Sequence, residues 1–222
     1  AVMDSSQYLD GAHVLYVNAK DPYGAESTLE INFIADNTAP DQSSVITPIT
    51  GEFIEGLYSF RVTATDDIGI ESVNGTIINE TGVELVSNTS MGYNSDSGYF
   101  ELVLGTANLP DGSYWFTAYA HDKAGLSRSS ASREFNIDNN FPRMTIYEPT
   151  NGQIVYGTFS PNISVTDTFL DIIEYNIDSS GWVNSSVNWS TGLFPDGDHV
   201  MRIRARDIAG HEVLESIIIT ID

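Results

Sequence analysis

One fifteen-residue pattern occurs three times without a gap, and it constrains the fold more than any other feature of the chain. It reads Asp-Gly-x-(His/Tyr)-x-apolar-x-apolar-x-Ala-x-Asp-x-x-Gly, and its copies occupy residues 10–24, 111–125 and 196–210. Self-similarity of this kind is typical of arrays in which one structural unit is used repeatedly. The chain is therefore predicted to contain several related units in tandem.

The alternation inside each copy predicts a β-strand, because successive side chains of a half-buried strand point to opposite faces. Asp-Gly before the strand and Asp-x-x-Gly after it supply the turns. A second alternating segment follows each copy and closes on an aspartate, at Asp36, Asp138 and Asp222. Each copy, together with the alternating segment after it, is therefore predicted to form the last hairpin of a β-domain.

The closing aspartates set the length of the units. They are 102 and 84 residues apart, from 36 to 138 and from 138 to 222, which is the size of an immunoglobulin-like sandwich. Prolines at 40 and 142 follow the first two aspartates at one offset and predict short, stiff linkers. The predicted fold class is all-β, tandem immunoglobulin-like or fibronectin-III-like β-sandwich domains. The predicted units are 1–36 (the C-terminal hairpin of a truncated unit), 37–138 (a sandwich) and 139–222 (a shorter sandwich).

The pattern also predicts individual strands and leaves the first unit incomplete. In the first sandwich they lie near 43–48, 57–65, 70–78, 83–87, 99–105, 113–121 and 130–137. In the second, which is expected to lack one edge strand, they lie near 144–148, 160–166, 171–177, 182–189, 198–206 and 213–221. An isolated hairpin is marginally stable at best, so residues 1–36 are expected to pack against further strands. Truncation of a longer array is the favoured explanation, and strand addition from another chain is the alternative.

The string Leu-Pro-Asp-Gly-Ser-Tyr-Trp-Phe-Thr-Ala-Tyr-Ala-His-Asp-Lys-Ala-Gly at 109–125, with Phe-Asn-Ile-Asp-Asn-Asn-Phe-Pro at 135–142, resembles tandem Ig-like repeats of bacterial and archaeal surface proteins. Such repeats build adhesins, S-layer-associated proteins and enzyme stalks, so the resemblance implies an extracellular, cell-surface location. Many of these repeats carry asparagine directly after the Ala-Gly turn. This chain departs from that pattern, with Ala25, Leu126 and His211 after the turn glycines.

The amino-acid composition argues against several classes of function. The chain has 31 acidic and 9 basic side chains, a formal charge of −22, which repels phosphate backbones and anionic headgroups. Nucleic acid is therefore not expected as a partner. Without cysteine there is no disulfide scaffold and no thiol nucleophile. No apolar run reaches the length of a membrane helix, so direct membrane insertion is not expected.

Acidic side chains are predicted to converge where linkers meet sandwich loops. The first set is Asp10, Asp36, Asn37, Asp66, Asp67 and Asp122. The second set is Asp111, Asp138, Asn139, Asp167, Asp171 and Asp207. Crowded carboxylates repel one another unless they are neutralised, and Ca²⁺ accepts six to eight oxygen ligands in loose geometry. The resemblance also implies calcium at such junctions. The alternative is plain turn chemistry, which aspartate favours.

Catalytic motifs are missing, and we expect no enzyme. There is no Gly-x-Ser-x-Gly elbow, phosphate loop or His-Glu-x-x-His sequence. His13 and His199 hold the repeat position of Tyr114, which indicates packing on an inward face. Six Asn-x-Ser/Thr sequons allow N-glycosylation, although a Ser- and Asn-rich loop composition explains them equally well. They begin at Asn74, Asn79, Asn88, Asn162, Asn184 and Asn188.

The expected function is a structural spacer in a surface protein, with neighbouring Ig-like units or copies of itself as partners and junctions stiffened by Ca²⁺. One alternative is an adhesive module whose ligand face carries Trp115 and Tyr119 and binds a surface glycan or a host or partner protein. Core packing of those two aromatic residues is the competing interpretation. Another alternative is a filament or S-layer subunit that assembles by strand complementation through residues 1–36.

Overall fold

The computed structural model describes residues 3–222, and these are almost entirely β-strands and turns. The chain divides into two compact units. The first comprises the residues up to Glu52 together with Gly56–Thr106 and Ser113–Asn136. The second comprises Phe53–Glu55, Ala107–Gly112 and Ile137–Asp222. The finer division at 36/37 and 138/139 stays a prediction.

A long hairpin begins the first unit, after a 3₁₀ turn at Ser5–Gln7. Its strands, β1 (Gly11–Lys20) and β2 (Glu26–Ala35), pair antiparallel along their whole length and form a two-stranded sheet. Apolar side chains of this hairpin are open to solvent, and Ile34 is 64% exposed. The antiparallel hairpin predicted for the first repeat copy and the segment after it is therefore present.

The first sandwich is made of two sheets. Its strands are β3 (Gln42–Thr47), β4 (Glu52–Ile54), β5 (Leu57–Thr65), β6 (Ile70–Asn79), β7 (Glu84–Ser90), β8 (Gly92–Asn94), β9 (Tyr99–Gly105), β10 (Gly112–Asp122), β11 (Ser127–Ser129) and β12 (Arg133–Ile137). One sheet has the order β3-β5-β9-β8, and the other β4-β12-β10-β6-β7 with β11 on β10. Phe60 of the first sheet packs against Phe116 and Phe135 of the second, at centroid distances of 4.9 and 5.3 Å.

The second sandwich follows the same plan with a weaker second sheet. Its strands are β13 (Arg143–Glu148), β14 (Gln153–Val155), β15 (Thr158–Phe159), β16 (Asn162–Thr166), β17 (Leu170–Ile177), β18 (Val183–Asn184), β19 (Trp189–Ser190), β20 (Gly197–Asp207) and β21 (Glu212–Ile221). A five-stranded sheet, β14-β21-β20-β17-β18, faces two two-stranded pairs, β13-β16 and β15-β19. Its core contains Tyr175, Trp189, Met201, Ile203 and Ile219.

The all-β prediction is confirmed, and two of its details need correction. The strand expected at 182–189 is broken, because β18 and β19 pair with different neighbours, β17 and β15. The short strands β4, β8, β11, β14 and β15 were missed, since segments of two or three residues are too short to show alternation. The repeat hairpins themselves lie where they were expected.

The repeat position shared by a tyrosine and two histidines faces inward, as predicted. Tyr114 is buried and stacks on Phe135, and His199 is buried too. The His199 Nδ1 bonds the Asp178 carboxylate, and its Nε2 bonds the Pro195 carbonyl oxygen at 2.8 Å. Both partners are acceptors, so the protonated ring satisfies both contacts. The hydrogen bond to Asp178 and then that to Pro195 raise the pKa of His199.

Replacing Gly75 by alanine is expected to destabilise the first sandwich. A Cβ at this position of β6 would lie 2.7 Å from the buried ring of Phe116, whereas a Cβ at Gly92 would meet nothing within 4 Å. We expect Gly75→Ala to cost about 1–3 kcal/mol in the free energy of unfolding. Gly92→Ala, the matched control, should stay within about 0.5 kcal/mol of the parent. Urea unfolding measures both, and equal midpoints for the two variants would contradict this account of the core.

Replacing His199 by tyrosine, the residue at this position in another copy, is expected to change the pH dependence of stability. Because the folded pKa of His199 is raised above its ordinary 6.5, the stabilisation by the charged ring is complete below that value and is lost as pH rises through the folded pKa. The pKa of Asp178 is lowered, so its carboxylate remains ionised in this range. The measurement is Tm against pH from about 5 to 9 for both proteins. A Tm difference independent of pH would show that the ring stays neutral.

Candidate functional site

The aspartate that ends the strand in each repeat copy forms the same turn. One oxygen, Oδ1, accepts two backbone N–H groups from the next four residues, at 2.7–2.9 Å. The glycine of this turn has a φ near +100°, at 98°, 89° and 103° in the three copies, a region that favours glycine. The three aspartates are Asp21, Asp122 and Asp207. In each of them the second oxygen, Oδ2, is left outside the turn.

The first acidic cluster consists of Asp36, Asp66 and Asp122, all in the first unit. One carboxylate oxygen of each lies within 4.8 Å of the other two. Asp36 follows β2, Asp66 follows β5, and Asp122 ends β10. Asp122 is only 2% exposed, and its Oδ2 has no hydrogen-bond partner among the described residues. A buried acceptor of this kind carries an uncompensated desolvation cost.

The electrostatics of this cluster favour a proton or a cation. Burial raises the pKa of Asp36, and the negative charges of Asp122 and Asp66 raise it further. The Oδ1 atom of Asp66 accepts from the backbone N–H groups of Ile68 and Gly69, at 2.9 and 2.7 Å. A positive ion among the remaining oxygens would remove the mutual repulsion that disfavours ionisation here.

The second cluster consists of Asp138, Asp207 and His211, all in the second unit. The His211 Nδ1 lies 2.9 Å from Oδ2 of Asp207 and 3.9 Å from Oδ1 of Asp138. Asp138 is 1% exposed, and its Oδ2 lacks a hydrogen-bond partner among the described residues. On the other side of the ring, the His211 Nε2 lies 3.2 Å from Oε2 of Glu55, which belongs to the same unit.

Burial and nearby charges shift the pKa of both the carboxylate and the imidazole groups in this cluster. Burial raises the pKa of Asp138 to about 6, and the charge of Asp207 acts in the same direction. For His211, burial opposes protonation, but its hydrogen bonds to Glu55 and Asp207 together outweigh burial and raise its pKa. The cluster therefore tends to gain positive charge, by protonation or by binding a cation.

Four of the predicted ligands hold the linkers in place through hydrogen bonds. Oδ1 of Asp10 accepts from the Asn37 backbone N–H at 2.7 Å, and Asp111 accepts from the Asn139 backbone N–H at 2.8 Å. The amide groups of Asn37 and Asn139 donate to carbonyl oxygens of the preceding loop. These contacts fit the turn and linker chemistry named as the alternative, and among the described residues neither Asp10 nor Asp111 belongs to a three-ligand cluster.

Three further aspartates lie outside the clusters. Asp67 and Asp171 are exposed, and among the described residues neither belongs to a three-ligand cluster, so their role as metal ligands stays a prediction. Asp167 caps its own turn by accepting from Phe169 N–H at 2.7 Å. Its charge still contributes to the raised pKa of Asp138.

His211 is not among the ligands predicted from the sequence, since one of its two partners in the cluster, Asp138, lies 73 residues before it in the chain. The available signal was its place directly after the turn glycine, where the other two copies have Ala25 and Leu126. The His211 side chain points back to Asp207, the aspartate that caps the turn. The repeat thus marks the position, although only the fold shows that Asp138 arrives beside it.

The aromatic candidates lie on the outer face of their sheet. Tyr119 is 38% exposed and Trp115 is half-buried, whereas Tyr114, Phe116 and Ala118 face the core. Core packing of Trp115 and Tyr119, the competing interpretation, is therefore wrong.

Four sequon asparagines are exposed and two are half-buried on β6. The exposed ones are Asn88, Asn162, Asn184 and Asn188; the half-buried ones are Asn74 and Asn79.

No protein-family model matches the chain, and no curated protein matches it. Solved structures match its fold. The fibronectin(III)-like modules of Clostridium thermocellum CbhA align with a TM-score of 0.44 and 15% identity, over 82% of this chain and 94% of that one. A tetra-tandem repeat from the extending region of a large adhesion protein gives 0.43 and 22%, over 98% and 58%. A 1.5-MDa bacterial ice-binding adhesin gives 0.38 and 14%, over 98% and 76%.

The first of these structures consists of fibronectin(III)-like modules, and the other two come from large adhesion proteins. The chain spans 58% of the length of the tetra-tandem repeat structure. Among the described residues, no helix is long and apolar enough to cross a membrane.

Proposed function

We propose that the chain is a non-catalytic structural module of an extracellular tandem array in a cell-surface protein, and that Asp36, Asp66 and Asp122 bind Ca²⁺. The repeat and the β-sandwich architecture support a spacer or display role. Because β-sandwiches serve many unrelated functions, the proposal that this module binds Ca²⁺ has to rest on the acidic site.

One observation carries the calcium proposal: the Asp122 Oδ2 is buried and without a partner, beside two more carboxylates. Three carboxylates provide up to six oxygens, and water can complete the six to eight that Ca²⁺ accepts. All the side-chain donors are hard oxygens, which suits Ca²⁺ better than a soft or borderline metal. A proton on Asp36 is the competing way to relieve the repulsion.

Calcium at this cluster would stiffen the linker that follows β2. Asp36 lies at the start of that linker, whereas Asp66 and Asp122 lie on β-sandwich turns of the same unit. An ion shared by the three would restrain the linker against the sandwich. A spacer with restrained linkers holds its ends apart better than a flexible tether of the same length.

Calcium is expected to raise the thermal stability of the first unit, and Asp122→Asn should abolish the effect. Calorimetry in millimolar CaCl₂ and in excess EDTA measures it. A ligand at about 100 times its dissociation constant adds roughly 2.7 kcal/mol to the folded state, which gives a readily measured rise in Tm.

Asp67→Asn is the matched control, because it removes one adjacent charge outside the cluster. It should keep the calcium response of the parent. Identical melts of the parent in calcium and EDTA would reject the calcium site, and an equal response in both variants would show that calcium acts through general charge screening.

The outward position of Trp115 and Tyr119 favours a second candidate function, adhesion through the sheet face. Exposed aromatic rings offer stacking surfaces for sugars and hydrophobic contacts for proteins. Replacing both residues by alanine should abolish binding on a glycan array without lowering Tm by more than a few degrees. Parent protein that binds no glycan would leave the spacer role as the function of this face.

A further inference from the structure

We propose that Asp138, Asp207 and His211 form a binding site for a divalent transition-metal ion, with Zn²⁺ as the ion that fits best. The proposal does not depend on the calcium site, since the two clusters share no residue.

The donor set distinguishes this cluster from the first. Two carboxylates and one imidazole are available here, whereas the first cluster offers carboxylates alone. Imidazole suits Zn²⁺ and its neighbours, while Ca²⁺ and Mg²⁺ prefer oxygen. Three protein ligands with a fourth position for water is a common arrangement around Zn²⁺.

The separations of the ligand atoms fit a small ion. With Zn–N and Zn–O bonds of about 2.0–2.2 Å, ligands of a tetrahedral ion lie roughly 3.3 Å apart. The His211 Nδ1 is 2.9 Å from Oδ2 of Asp207 and 3.9 Å from Oδ1 of Asp138, values on either side of this. The ligand atoms of the three residues all lie within 4.8 Å of one another.

A buried unpartnered oxygen provides the independent indication of a ligand. The Asp138 side chain is excluded from solvent, and its Oδ2 has no hydrogen-bond partner among the described residues. Asp207 is equally buried, and its Oδ1 is already committed to the turn. A metal ion would neutralise the negative charges of both Asp138 and Asp207. A single proton on the imidazole, shared with Asp207, leaves the charge of Asp138 without a partner.

Glu55 supplies the outer partner that metal-binding histidines usually have. Its Oε2 lies 3.2 Å from the His211 Nε2, so the ring can donate there while Nδ1 faces the two aspartates. Such a carboxylate fixes the tautomer and orientation of the ligand. On the ring face, Phe141 packs at a centroid distance of 4.6 Å and restricts its rotation. Glu55 is a positioning residue here and touches no metal.

The repeat itself provides a reciprocal pair of variants. His211 and Leu126 occupy the same position after the turn glycine in the last two copies. His211→Leu should lower the Zn²⁺ affinity by more than about 100-fold, beyond the loss typical of an outer partner. Leu126→His should give the first cluster a Zn²⁺ response that the parent lacks there. Isothermal titration with ZnCl₂ in EDTA-free buffer, in the presence of excess CaCl₂, measures both.

Cobalt tests the ligand type directly. Co²⁺ in place of Zn²⁺ should give the visible absorption of a four-coordinate ion with a nitrogen ligand, and His211→Leu should remove it. His13 and His121 remain in that variant, so metal bound by scattered surface groups would persist. An unchanged Zn²⁺ isotherm or Co²⁺ spectrum in His211→Leu would overturn the proposal, as would parent protein that binds neither ion.

Glu55→Gln keeps the test decisive if His211→Leu unfolds. Glu55 is exposed, so its replacement should leave folding unchanged while lowering Zn²⁺ affinity about 10–100-fold. Asp171→Asn removes one charge from an exposed site of the same unit and is the control. Equal affinities for these two variants would show that Glu55 only adds negative charge.

Discussion

Both clusters depend on one hydrogen-bonding arrangement, the aspartate turn at the end of the repeat strand. Oδ1 of Asp122 or Asp207 accepts two backbone N–H groups, which fixes the side chain and closes the hairpin at low cost. Because the carboxylate is planar and held by one oxygen, the other oxygen has a fixed direction. In the two sandwiches it is buried beside an aspartate of a linker, so one turn supplies both a structural bond and a potential ligand.

The N-terminal copy shows what this turn does without its surroundings. Oδ1 of Asp21 also accepts two backbone N–H groups, yet among the described residues Asp21 belongs to no three-ligand cluster. Its hairpin is a two-stranded sheet whose residues are largely exposed. The turn is therefore local and autonomous, whereas the clusters require the linker and sandwich loops that surround Asp122 and Asp207.

A single side-chain difference gives the two clusters distinct chemistry. Leu126 leaves the first with oxygen donors only, while His211 adds a nitrogen to the second and is oriented by Glu55. Hard and borderline ions are separated by such ligand sets. We therefore propose that, within one repeated architecture, the residue after the turn glycine selects which cation a cluster binds.

The sequence by itself determined the hairpins, the turns and the all-β class, because period-two alternation and Asp-x-x-Gly chemistry act over a few neighbouring residues. It also identified Asp36, Asp66, Asp122, Asp138 and Asp207 as residues of interest. Only the tertiary structure decided which of the predicted carboxylates lie within reach of one another, that His211 joins Asp138 and Asp207, and that Asp67 and Asp171 are exposed. Those outcomes depend on how loops distant in the chain approach one another and on which oxygens are buried. The broken strand between β18 and β19 has the same origin, since its halves pair with different strands.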